Sequence, residues 1–179
     1  MKKILFSLIL ALLPMFGFAQ SFHFYTYKSG SFDIETNAAG QKMVIHNVFD
    51  DYGSMQYNEM NMMGQMVKTV MRDGKNYMLA PKFQEIPQQE AVNYNALTPE
   101  VIEQYGIQMV GFDSAEGFDC MVYTLTMEVQ GMEAKSKVWV WEGFPIRTES
   151  TVMGMKMVTT IKNLELDIPV DKSLFALPE

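Results

Sequence analysis

Most of the chain alternates apolar and polar residues with a period of two. Phe22-His23-Phe24-Tyr25-Thr26-Tyr27 is rich in aromatic residues and reads as an opening strand. Asn37-Ala38-Ala39-Gly40 is a turn, and residues 42–49 read as the next strand, ending at the turn Asp50-Asp51-Tyr52-Gly53. Residues 54–61 and 67–71 are strand-like. Between them Met62-Met63-Gly64-Gln65 forms a hairpin turn, or else a helix runs over residues 59–71 with Gly64 inside it. Arg72-Asp73-Gly74-Lys75 before Asn76-Tyr77-Met78-Leu79 is the strongest hairpin signal, because a type I′ turn needs two consecutive residues with positive φ. Residues 81–95, which include Gln88-Gln89-Glu90, read as a long polar loop.

One segment has helical signals. Thr98 is an N-cap, Pro99 occupies the first helical position, Glu100 lies in the first turn and Gly106 closes the helix. Val101, Ile102 and Tyr105 form its apolar face. Four or five strands follow. Met121, Tyr123, Leu125, Met127 and Val129 alternate across residues 119–129, and Gln130-Gly131 turns the chain. Val138-Trp139-Val140-Trp141 is apolar on both faces, as in a central strand. After the Glu142-Gly143 turn, residues 145–149 return. Residues 155–166 form a last strand with Met155, Met157, Thr159 and Ile161 on one face, and Val158 and Leu164 on the other. Short strands joined by tight turns imply a mainly β (α+β) domain built on an antiparallel sheet that curls.

The first residues lie outside this pattern. Lys2 and Lys3 precede a run of apolar residues, Pro14 breaks the run, and Gly17-Phe18-Ala19 supplies small residues. That order is a secretory signal peptide over residues 1–19, with cleavage expected after Ala19. Residues 20–179 then form a single domain, expected in the periplasm. The run is too short for a permanent transmembrane helix, so an integral membrane protein is not expected.

The net charge of −7 sharpens this picture. Without a Lys/Arg cluster the chain has no means of neutralising phosphate backbones, and nucleic acid is not an expected partner. Cys120 is the only cysteine, so no intrachain disulfide is expected. With His23 and His46 as the only histidines, a zinc site is not expected, and no cofactor is. Asp50-Asp51 belongs to a turn, and nothing flags a catalytic residue, so an enzyme is not expected.

Three passages resemble a known group. Residues 66–82 contain Arg72-Asp73-Gly74-Lys75 and Ala80-Pro81-Lys82. Trp139-Val140-Trp141-Glu142-Gly143-Phe144-Pro145-Ile146-Arg147 follows, and the tail carries Ser173-Leu174-Phe175-Ala176-Leu177-Pro178. Together they resemble the LolA/LolB-like periplasmic lipoprotein-carrier superfamily, in its outer-membrane lipoprotein-sorting-like branch. The resemblance implies a half-open β-barrel with one or two short helices over an apolar concave face, which in carriers of the group holds acyl chains. The chain departs from LolA-type carriers in opening with a strand rather than a helix, and in having no Arg within residues 54–59.

The 17 methionines then take on meaning. Methionine is unbranched and polarizable, which suits a surface that must fit variable apolar ligands. The expected function is non-enzymatic binding of a lipid or an acylated protein. The candidate lining is Met62, Met63, Met121, Tyr123, Leu125, Met127, Trp139, Trp141, Met153, Met155 and Met157. One alternative is a Cu(I) site of Met60, Met62, Met63 and Met66, since thioethers are soft ligands. Another is a structural protein that binds envelope partners through sheet edges.

Overall fold

The computed structural model describes residues 23–87, 92–129 and 132–178. The expected signal peptide, Gln88-Gln89-Glu90 and the Gln130-Gly131 turn lie outside the described residues. Eleven strands form one antiparallel sheet. They are β1 (Gly30–Ala38), β2 (Gln41–Asp50), β3 (Met55–Met62), β4 (Gln65–Arg72), β5 (Lys75–Ala80) and β6 (Gln84–Ile86), then β7 (Gln108–Ala115), β8 (Phe118–Val129), β9 (Met132–Trp141), β10 (Phe144–Val152) and β11 (Met155–Leu166). Among the described residues one α-helix, α1 (Pro99–Tyr105), stands between β6 and β7. The spatial order is β6-β5-β4-β3-β2-β1-β11-β10-β9-β8-β7. Each half is a meander, and β1 pairs with β11 to join the two halves at the centre.

Turn chemistry explains the meander. Ala39-Gly40, Met63-Gly64, Asp73-Gly74, Glu116-Gly117, Glu142-Gly143 and Met153-Gly154 all have positive φ at both residues. This backbone matches the right-handed twist of the strands it joins, and glycine at the second position adopts it without strain. The hairpin reading of Met62-Met63-Gly64-Gln65 holds, and the helical alternative over residues 59–71 does not.

The sheet curls. Trp139 Nε1 on β9 donates to Asp113 Oδ2 on β7 at 3.1 Å, across the intervening β8. Arg147 on β10 lies 3.6 Å from Glu116, and Lys162 on β11 pairs with the same carboxylate. In a flat sheet β11 and β7 would lie about 19 Å apart, because neighbouring strands are spaced by about 4.8 Å. The edges β6 and β7 remain unpaired to each other, so the sheet is a half-open β-barrel.

Among the described residues, apolar clusters in three places hold it. The largest draws on β1–β4 and β7–β11, with Phe32, Phe49, Phe144 and Ile146 almost fully buried. A second lies between α1 and the face of β8–β9 that carries Tyr123, Leu125, Val138 and Val140. A third packs Val48, Tyr57 and Val70 beneath the C-terminal segment, where Phe175 is 2% exposed and Leu174, Val170 and Leu177 flank it.

Several expectations are corrected. Residues 24–29 form no strand. Their aromatic side chains plug the core instead: Tyr25 stacks on Phe144, and the Phe24 and Tyr25 N–H groups donate to the Tyr52 carbonyl at 2.8 and 3.1 Å. A Cβ on Gly143 would stand 2.3 Å from the Phe24 carbonyl oxygen, so glycine there admits the plug. Within the expected loop of residues 81–95, Gln84–Ile86 forms the short strand β6. The strands β1 and β7 had no counterpart among the expectations. On β11, Leu164 packs with the same core as Ile161 rather than opposite to it. The physical reason is a bulge: Asn163 has φ of 52°, and the β1–β11 register shifts between Ser31 and Asp33.

Candidate functional site

The seven-residue helix α1 is too short to be stable alone and depends on what it covers. Its start is built as expected, with the Thr98 hydroxyl accepting from the Val101 N–H at 3.4 Å. Gly106 ends it in the left-handed conformation, with φ of 56°. Val101 and Tyr105 pack down with Tyr94 and Leu97 onto Tyr123, Leu125, Val138 and Val140. Burial pushes the Tyr94 hydroxyl above its ordinary range, so it stays neutral and presents no charge to this apolar layer. Ile102, the third residue of the expected apolar face, is 40% exposed.

This layer continues into an open apolar patch. Register places Phe112 opposite Met121, and Met109 opposite Tyr123, so all four share the face that α1 covers. Phe112 is 78% exposed, Met109 51% and Met121 38%. The Tyr123 hydroxyl donates to Met121 Sδ at 3.6 Å and ties the covered and open parts together. Val110 is also exposed, at the register shift of this edge strand.

The structure distributes the candidate lining among separate places. Tyr123, Leu125 and Met127 lie under or beside α1, and Met121 flanks them. Trp139 is buried in the large core cluster, and Trp141 packs half-buried against it. Met62 packs against that cluster near the β3–β4 turn, whose tip Met63 is 85% exposed. Met153 is the tip of the β10–β11 hairpin at 71% exposure, Met155 is partly exposed, and Met157 is buried. Phe112 and Met109 were not among the candidates. The alternation of Met109 with Gly111 and Asp113 could have marked β7, but Gly111 and the register shift hide the pattern.

The four methionines of the copper alternative are split by the sheet. Met60 opposes Val67 and Met62 opposes Gln65, whereas Met66 opposes Asn61 on the other face. Met60 is 3% exposed within the core. Among the described residues, no group of three or more His, Cys, Asp and Glu stands close enough to hold a metal ion. Cys120 is buried, and burial pushes its thiol up, away from the reactive thiolate. His46 Nδ1 lies 2.8 Å from Asp33 Oδ1, in an exposed cross-strand pair.

No protein-family model matches the sequence, and comparison with curated proteins finds no match. Solved structures do match. MucB in complex with MucA(peri) aligns with a TM-score of 0.55 at 13% identity over 93% of this chain, which spans about half of the MucB chain (55%). A LolA superfamily protein from Nitrosomonas europaea aligns at 0.45 with 11% identity, covering 84% of this chain and 91% of that one. The lipoprotein LppX from Mycobacterium tuberculosis aligns at 0.43 with 10% identity, covering 79% and 89%. At these identities the likeness is one of fold. No helix among the described residues is long and apolar enough to cross a membrane. The likeness to MucB shows a shared fold, which in this chain is the curled, half-open antiparallel sheet.

Proposed function

We propose that this chain is an exported, non-enzymatic carrier of the periplasm that holds the acyl chain of a lipid or acylated protein beneath α1. The observation that carries this reading is the continuity between the covered layer and the open patch. A helix of about two turns sits on an apolar surface distinct from the structural core, and Met109, Phe112 and Met121 extend that surface into solvent. Displacing α1 would open a strip lined by Tyr123, Leu125, Val138, Val140 and Met127. Each buried methylene of a chain seated there stabilises the complex by about 0.8 kcal/mol. Flexible Met121 and Met127 at its border suit chains of different length. Export of the protein follows from the signal-peptide reading of residues 1–19.

Native mass spectrometry of protein purified from the periplasm without detergent tests the reading. A co-purifying lipid or acylated protein is expected. Phe112→Glu and Met121→Glu, both at exposed positions, should lower uptake of a fluorescent fatty acid while leaving the fold intact. A clean apo mass with no fatty-acid uptake would overturn it.

A second reading is binding of an envelope protein by strand addition. The eight-residue edge strand β7 leaves one side unpaired and exposes Phe112, features that blunted edges avoid. MucB, with which this fold aligns, is captured with MucA(peri).

A further inference from the structure

We propose that a half-open groove on β8–β11 is a binding site for a phosphate-bearing ligand, separate from the apolar surface beneath α1. The groove has a volume of about 610 Å³. Strand register builds its floor as two cross-strand rows. Thr124, Lys137 and Glu149 form one, and Thr126, Lys135, Thr151 and Lys156 form the other. Thr124 and Thr126 alternate along β8 with Tyr123 and Leu125, so their side chains lie on the opposite face of that strand from α1, while Gly106 and Leu125 border the groove.

The charge of the groove runs against that of the chain. Three lysines line it against the single carboxylate of Glu149, in a protein of net charge −7. Glu149 is already engaged, since Arg147 donates to its Oε1 from Nε at 3.0 Å and from Nη2 at 2.7 Å. Lys135 lies 3.2 Å from Glu133, both well exposed, a pair of little energetic weight. Lys137 rests 4.4 Å above the Trp139 ring, and its ammonium also feels the Asp113 carboxylate to which that ring's N–H donates. Like charges held at strand spacing repel one another, and an anion between them relieves that repulsion.

The spacing selects the ligand class. Lys135 and Lys137 stand two residues apart on one strand, about 7 Å, and Lys156 lies two strands away from Lys135, about 10 Å. A phosphate monoester carries about −1.5 to −2 charge and three acceptor oxygens, enough to meet two ammoniums and a threonine hydroxyl together. Lysine serves such groups as a point charge, without the planar fork that carboxylate recognition exploits. The source is either a soluble phosphate ester or the head group of an anionic lipid.

The test uses the full chain and a triple variant, Lys135→Gln, Lys137→Gln and Lys156→Gln. A second triple variant, Lys28→Gln, Lys42→Gln and Lys75→Gln, removes the same charge at exposed lysines elsewhere. Calorimetric titration with glycerol phosphate forms one arm. Sedimentation with phosphatidic acid vesicles, against phosphatidylcholine vesicles, forms the other. Saturable binding is expected in at least one arm, weakened by about tenfold or more in the groove variant, sparing the control and falling with added salt. Binding in the first arm alone assigns the soluble ester, and binding to anionic vesicles assigns the head group. The proposal is overturned if neither arm shows binding, or if the control variant loses as much affinity as the groove variant.

Discussion

The rings of Tyr25 and Phe144 stack with centroids 4.1 Å apart and planes 2° from parallel. Tyr25 lies in the segment that precedes the first strand, and Phe144 begins β10, so the stack binds the start of the described chain to the far half of the sheet. Phe32 and Phe49 close around the pair, edge-on to Tyr25, with Phe49 at 4.7 Å. Replacing Tyr25 with Ala leaves a cavity that β1, β2 and β10 cannot collapse to fill. The expected cost is about 3–5 kcal/mol, read as a lowered midpoint in urea unfolding. An unchanged midpoint would show that the segment rests on the sheet without supporting it.

The C-terminal segment should be just as necessary. Phe175 fills the layer against Val48, Tyr57 and Val70, Arg72 Nη1 donates to its carbonyl oxygen at 3.5 Å, and Lys172 pairs with the buried Asp50 carboxylate. Phe175→Ala should cost about 3 kcal/mol or more. Lys172→Ala should cost about 1–3 kcal/mol, more than an exposed lysine normally does, because Asp50 is left buried without its cation. Thermal unfolding of both variants measures this; a Lys172→Ala protein as stable as the parent would show that Asp50 is satisfied by other means.

Acid should weaken the centre of the sheet. Burial raises the Asp33 carboxyl, but hydrogen bonds from Asn163 and His46 outweigh it and hold the group below its ordinary value. Glu59 is held below its own by hydrogen bonds from Tyr57 and Lys68. With both depressed in the folded state, the unfolded chain binds more protons as the solution acidifies. Their contribution is complete above about pH 5 and is lost as the pH falls through about 4 and below. Asp33→Asn with Glu59→Gln should flatten the fall in stability over that window. A parent-like pH profile in the double variant would contradict this assignment.

Copper offers a sharp negative. Met62→Leu with Met63→Leu should leave Cu(I) affinity unchanged in a competition assay, because the β3–β4 register sends Met66 to the face away from Met60 and Met62. A clear loss of affinity would mean that the thioethers converge, against that register.

Much of the fold is legible locally. The caps of α1 are residue types at fixed offsets, and the Asp73-Gly74 and Glu142-Gly143 turns need only two consecutive residues with positive φ. Val138-Trp139-Val140-Trp141 reads as buried on both faces, and the chain buries both: Val138 and Val140 under α1, Trp139 and Trp141 against the core. Residues 24–27 mislead because aromatic residues suit a plug as well as a strand, and only the space between β1, β2 and β10 decides between them. The candidate lining is dispersed for a related reason. Methionine at a hairpin tip and methionine in a core have the same local signature, as Met63 and Met60 show.

Alternation along the strands, the X-Gly turns and the capped helix α1 were therefore dictated by the sequence, since each depends on neighbours within a few residues. Tertiary structure decided the rest. It set the meeting of β1 with β11, the bulge that turns Leu164 inward, the open patch of Met109, Phe112 and Met121, and the gathering of Lys135, Lys137 and Lys156 into one groove. Period two says which residues of a strand share a face, but not which strand lies beside it. That choice belongs to the curl of the whole sheet, where residues far apart in sequence compete for the same buried volume.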